Sequence, residues 1–154
     1  MSFEVRIQEL GLTIPEPPKP AGHFVPAVWV GNLLFVSGQI PMVSGQVLFK
    51  GKLGRDLSLE QGQEAARQAL HNALAAIRSH TGTLDSIKRI VKLNGWVASA
   101  EGFNSQPQVV DGASLLLEEI FGEAGKHARA ALGVAELPLG VPVEIELIVE
   151  VQSS

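Results

Sequence analysis

His127-Ala-Arg-Ala-Ala-Leu-Gly-Val-Ala-Glu-Leu-Pro-Leu-Gly-Val-Pro-Val-Glu-Ile-Glu-Leu-Ile-Val-Glu-Val151 is the stretch whose periodicity decides the fold. In its second half Val143, Ile145, Leu147, Val149 and Val151 share one parity, and Glu144, Glu146, Ile148 and Glu150 share the other. A period of two predicts a strand with one apolar face and one carboxylate-rich face. The first half sets Arg129, Ala131, Gly133 and Ala135 against Ala130, Leu132 and Val134, so it reads as a second strand. Residues 137–142 form the turn that joins the two. One arginine therefore stands on a strand face lined by very small side chains. That leaves room beside its guanidinium for a small carboxylate, although an ion pair with a neighbouring glutamate explains the same arginine equally well.

Working outward, Val91, Leu93, Gly95 and Val97 alternate with Lys92, Asn94 and Trp96, which predicts a long strand with Trp96 on the parity away from the core. Pro107 to Phe121 predicts a helix, since proline is tolerated in a first turn and Gly122 supplies a stop. A longer helix runs from about Ser58 to His80. Ser58 and Gln61 form its capping box, and Ala65, Ala66, Ala69, Leu70, Ala73, Leu74 and Ile77 form its apolar stripe. A stripe made mostly of alanine permits close approach to a sheet. Ahead of it, Ala27 to Val30 and Leu33 to Ser37 flank Gly31-Asn32, a dipeptide suited to a two-residue hairpin turn, and a short strand is expected near Gln46 to Phe49. Phe3, Ile7 and Leu10 predict a short amphipathic helix, followed by an extended arm at Pro15 to Pro20.

The order hairpin, short strand, helix, strand, helix, strand, strand predicts an α+β fold: a mixed sheet with two helices packed on one face. A single domain is expected over 1–154, with 1–21 as the N-terminal helix and proline-rich arm. Trp96, Ile90, Ile148 and Ile145 cannot all be covered by two helices on one side of the sheet, so the other face is expected to pack against other subunits. Composition agrees, because 45% hydrophobic against 18% charged residues is an apolar excess for a chain of 154.

The chain has no cysteine, which excludes disulfides, thiolate metal sites and a cysteine nucleophile. A net charge of −4, no run of Lys or Arg and no tyrosine argue against RNA or DNA as a partner. No signal-like or membrane-spanning run is present in the pattern, so the expected location is the cytoplasm. His23, His71, His80 and His127 lack the spacing of a metal site, and Gly51-Lys52-Leu53-Gly54 lacks the ending of a phosphate loop. No metal or cofactor is expected.

Three pieces of this sequence resemble the Rid/YjgF family, reactive-intermediate deaminases also labelled endoribonuclease L-PSP. They are Val30 to Pro41, Ala65 to Asn72, and Ala128-Arg129 with Leu137-Pro138 and Val143-Glu-Ile-Glu146. The N-terminal helix and proline arm resemble a longer subgroup. The resemblance implies a chorismate-mutase-like fold, a homotrimer with sites between subunits, and hydrolysis of 2-imino or enamine acids to 2-keto acids and ammonia. It implies that Arg129 grips the substrate carboxylate and Glu144 positions water. Phe24, Ser37, Gly38, Ala131 and Ser114 match substrate-binding positions. Two of these depart from the family: Phe24 stands where many members have tyrosine, and Ala131 where many have cysteine. Two other functions compete. A non-catalytic sensor could keep the arginine and bind small carboxylate metabolites such as keto acids. An endoribonuclease or translation inhibitor, the family's older label, fits the acidic, tyrosine-free composition poorly.

Overall fold

The computed structural model describes Ser2 to Ser153; Met1 and Ser154, the ends of the expected domain, lie outside the described residues. In chain order the elements are α1 (Phe3–Glu9), β1 (Ala27–Val30), β2 (Leu33–Gln39), β3 (Met42–Val43), β4 (Gln46–Val47), α2 (Leu59–Thr81), β5 (Ile87–Ala98), α3 (Gln106–Phe121), β6 (Ala128–Val134) and β7 (Val143–Val151). Five strands form one sheet in the order β1-β2-β7-β5-β6, with β5 and β6 parallel and every other neighbour antiparallel. Helices α2 and α3 lie on one face of it. This is the α+β mixed sheet with two helices on one face that the periodicity predicts.

Local chemistry fixes each helix. Ser58 accepts from the Gln61 backbone amide while Gln61 bonds back to Ser58, closing the capping box, and Gly82 ends α2 at φ 81°. The alanine stripe is fully buried, with Ala65, Ala66, Ala69 and Ala73 all at 0% exposure. Glycines set how closely the layers approach. A Cβ on Gly112 of α3 would overlap the Gln63 backbone of α2, and one on Gly95 of β5 would overlap Val110. Helix α1 docks on the helical layer through buried Ile7, an edge-to-face contact of Phe3 with Phe121 at 4.8 Å and an Arg78–Glu4 ion pair at 2.6 Å.

The sheet has two unlike faces. Leu34, Val36, Ile90, Leu93, Val97, Ile145, Leu147 and Val149 point toward the helices and are buried, so Ile90 and Ile145, expected to need cover from other subunits, are covered within the chain because they share the parity of the core. The opposite face carries Val28, Phe35 and Leu132, all exposed, together with half-buried Trp96 and Ile148.

The expected hairpin between the last two strands does not form. β5 lies between β6 and β7, pairing in parallel with the first and antiparallel with the second. A turn signal at 137–142 specifies a reversal of the chain, and does not specify which strand receives the returning segment. β5 is long and apolar enough on its helix side to take both neighbours. The expected strand near Gln46 to Phe49 is shorter, with β4 pairing to β3 across Ser44-Gly45, both at positive φ (51° and 80°) as a tight hairpin turn requires.

Candidate functional site

Arg129 lies on edge strand β6, in register with Leu93 and so on the helix side of the sheet. Its Nη1 donates to Asp111 Oδ1 at 2.7 Å and to Ser114 Oγ at 3.2 Å, both on α3. Asp111 and Ser114 are three apart, which puts them on one side of the helix. His127 Nδ1 lies 2.6 Å from the Gly125 carbonyl, an acceptor, so Nδ1 carries the proton and Nε2 is left to accept from Ser114 Oγ at 2.9 Å. The network is thus directed, from Arg129 to Ser114 to His127 to Gly125. It holds one nitrogen of the guanidinium from behind. Among the described residues Nε and Nη2 have no hydrogen-bond partner, leaving a planar edge suited to a carboxylate fork. Ala131, two residues on, shares this side of β6.

Glu144 follows Val143 at the start of β7 and faces away from the apolar parity, in register with Trp96 on the open sheet face. Its carboxylate rests over Gly38, where a Cβ would overlap Oε2. Gly38 sits at the β-bulge where the β2–β7 register shifts between Val36 and Gln39, a device that re-aims backbone at a site. Burial, and secondarily the nearby Glu146 carboxylate, push the Glu144 pKa above the ordinary carboxylate range. Glu144, Gly38 and Phe24 line one cleft of about 280 Å³, together with Pro18, Met42 and Leu139. Ser37 is held apart from it: its hydroxyl donates to the Val25 carbonyl at 2.6 Å and pins the segment leading into β1.

The seven residues expected at the site therefore fall into two groups. Arg129, Ser114 and Ala131 form one, and Glu144, Gly38 and Phe24 the other, with Ser37 supporting the second. In one chain the groups lie on opposite faces of the sheet. Arg129 and Glu144 are two strands and three residues apart, roughly 14 Å between Cα atoms at ~4.8 Å per strand and ~3.3 Å per residue. One small ligand on one chain cannot touch both. Sequence reasoning missed Asp111, whose only signal was its i,i+3 spacing to Ser114, and considered His127 as a metal ligand, which its spacing ruled against. It also gave no role to Met42, Leu139 or the arm residues.

The sequence family described as "YjgF/chorismate_mutase-like, putative endoribonuclease" matches residues 4–151. The chain belongs to this family. Among similar proteins, Protein TCP17 of Trypanosoma cruzi is 40% identical over 96% of this chain and 92% of its own. The 2-iminobutanoate/2-iminopropanoate deaminase of Dermatophagoides farinae is 31% identical over 92% and 95%. The crystal structure of Atu1372 from Agrobacterium tumefaciens, a protein of unknown function, is 44% identical, covers 97% of this chain and 92% of that one, and superposes with a TM-score of 0.91. E. coli TdcF with bound serine is 25% identical over 90% and 94%, with a TM-score of 0.65. Among the described residues no helix is long and apolar enough to cross a membrane.

Proposed function

We propose that the protein hydrolyses 2-imino or enamine acids to 2-keto acids and ammonia, at sites shared between the subunits of a homotrimer. The observation that carries this reading is the division of the site. A guanidinium presents an unfilled carboxylate-binding edge on one side of the sheet, and a carboxyl of raised pKa sits in a cleft on the other. Two copies meeting edge to face would join the halves. The exposed apolar residues of the open sheet face supply a surface on which copies can pack.

The chemistry then needs few groups. Arg129 binds the substrate carboxylate through Nε and Nη2 and fixes C2 of the imine. Glu144, basic enough to take a proton and dry enough to hold it, accepts one from a water that adds to C2. The adduct carries a hydroxyl and an amino group on one carbon. The first water proton has then completed the amino group; the hydroxyl proton passes by way of Glu144 to the nitrogen, the C–O bond becomes the carbonyl as the C–N bond breaks, and one imine and one water give one keto acid and one ammonia. The deaminase among the relatives and the serine bound by TdcF, a small amino acid with a carboxylate, support the substrate class.

The test supplies the protein with an imine generated in place by an amino-acid oxidase and follows keto-acid formation. Arg129→Ala should lose at least about tenfold in kcat/KM, since a charge-assisted contact contributes about 1.5–3 kcal/mol. Arg129→Lys keeps the cation without the fork and should recover only part of it. Full activity in Arg129→Ala would sink the assignment. One observation favours a second reading, that of a metabolite sensor: Phe24 puts a bare ring in the cleft where many family members carry a hydroxyl. Keto-acid binding by calorimetry without any turnover would decide for the sensor.

A further inference from the structure

We infer that the cleft beside Glu144 selects 2-imino acids with bulky apolar side chains over small or acidic ones, and that the N-terminal arm supplies the selecting wall. The inference rests on the hydrolytic reading above and names its substrate class. At about 280 Å³ the cleft approaches the roughly 300–1,000 Å³ of ordinary small-molecule pockets, far more than a three-carbon imino acid fills. Its lining is mostly apolar: Pro18, Ala21, Phe24, Ile40, Met42 and Leu139 contribute. The arm that brings the first two is rich in proline, anchored by buried Ile14, and so reaches the cleft already ordered.

Leu139 is the residue that folding alone does not explain. It is held at φ 57°, a left-handed conformation unfavourable for a residue with a side chain, yet it is 61% exposed and buries little in return. The turn that imposes this is fixed from both sides. Gly140 N donates to Leu137 O at 3.1 Å, Val141 N to Pro138 O at 3.2 Å, and Gly51 N to Gly140 O at 2.9 Å. The result holds an apolar side chain against the cleft, across which half-exposed Phe24 offers a second apolar surface. An apolar substituent on C3 of the substrate would cover both. Lys19 is the one cation in the lining, and among the described residues it has no ion-pair partner. An acidic imino acid is therefore the class to compare against.

Imines generated in place from alanine, leucine, phenylalanine and glutamate separate these outcomes. kcat/KM for the leucine and phenylalanine imines should exceed that for the alanine imine by about tenfold or more, the scale that pocket methylenes set. Leu139→Gly relieves the backbone and removes the wall. It should lower kcat/KM for the bulky imines by about tenfold more than for the alanine imine. Equal rates across the series, a preference for the glutamate imine, or a Leu139→Gly effect that scales every substrate alike would overturn the inference while leaving hydrolysis standing. Should no imine be hydrolysed, the hydrolytic reading fails. Calorimetry with 4-methyl-2-oxopentanoate and pyruvate then still reads the cleft: tighter binding of the former, weakened by Leu139→Gly, upholds the selectivity, and equal binding removes it.

Discussion

Gly38→Ala separates the proposed chemistry from the stability of the fold. Gly38 does not occupy the left-handed region, so alanine imposes no backbone strain there. Its new Cβ would overlap Glu144 Oε2 and come within 3.1 Å of Cδ and 3.4 Å of Cγ. The obstacle is the far end of a flexible side chain, which can swing aside. The stability cost should therefore stay below about 1 kcal/mol, within the range of mutations that leave the core untouched. Activity should respond very differently, because a shift of about 1 Å in a water-positioning group costs roughly a hundredfold. A displaced carboxylate is also better hydrated, which removes part of the burial that raises its pKa, so the acid limb of the pH–rate profile should move to lower pH. Thermal melting, kcat and the pH profile of the purified variant read all three. Full activity with an unmoved acid limb would refute the placement of Glu144 as the working base, and a large drop in melting temperature would refute its freedom to yield.

The Asp111 pair makes a contrast between two variants. Asp111→Asn keeps the acceptor that orients Arg129 but removes the competing charge, so KM should fall a few-fold; Asp111→Ala loses the orientation and should raise KM, and identical effects would contradict a positioning role. Glu144 also predicts a stability signature. Its folded pKa is raised, so its contribution is fully present below the ordinary glutamate pKa and is lost as pH rises through the folded value. Glu144→Gln should therefore gain stability over the parent at neutral pH and show no such gain at acid pH, as followed by urea melts across that range.

Parity was the most informative signal in the chain. The alternation over 143–151 put Ile145, Leu147 and Val149 on the buried face and Glu144 on the other, and the same rule placed Trp96 opposite the core, because the period of two is a backbone property that needs no partner. The Ser58 capping box and the Gly82 stop were legible for the same reason: their hydrogen bonds are local. What was hidden is long-range. No local feature of 127–151 reveals that β5 would lie between β6 and β7, and the two-residue strands β3 and β4 are too short to show a period. The site divided along the same line. Arg129 and Glu144 could be singled out on resemblance and spacing, but the sequence could not show that they face opposite ways, nor that Asp111 on a distant helix would orient the arginine.

Mixing two disabled variants tests the division of the site most directly. If each site takes Arg129 from one subunit and Glu144 from its neighbour, Arg129→Ala and Glu144→Gln are each strongly impaired alone but complement one another in mixed oligomers. After co-refolding at equal ratio, roughly one site in four draws an intact arginine from one variant and an intact glutamate from the other, as random assembly of a symmetric ring requires. Imine hydrolysis should recover to about a quarter of the parent rate. No recovery, with mixed oligomers demonstrated by mass, would show that both residues act within one chain and would contradict the shared site.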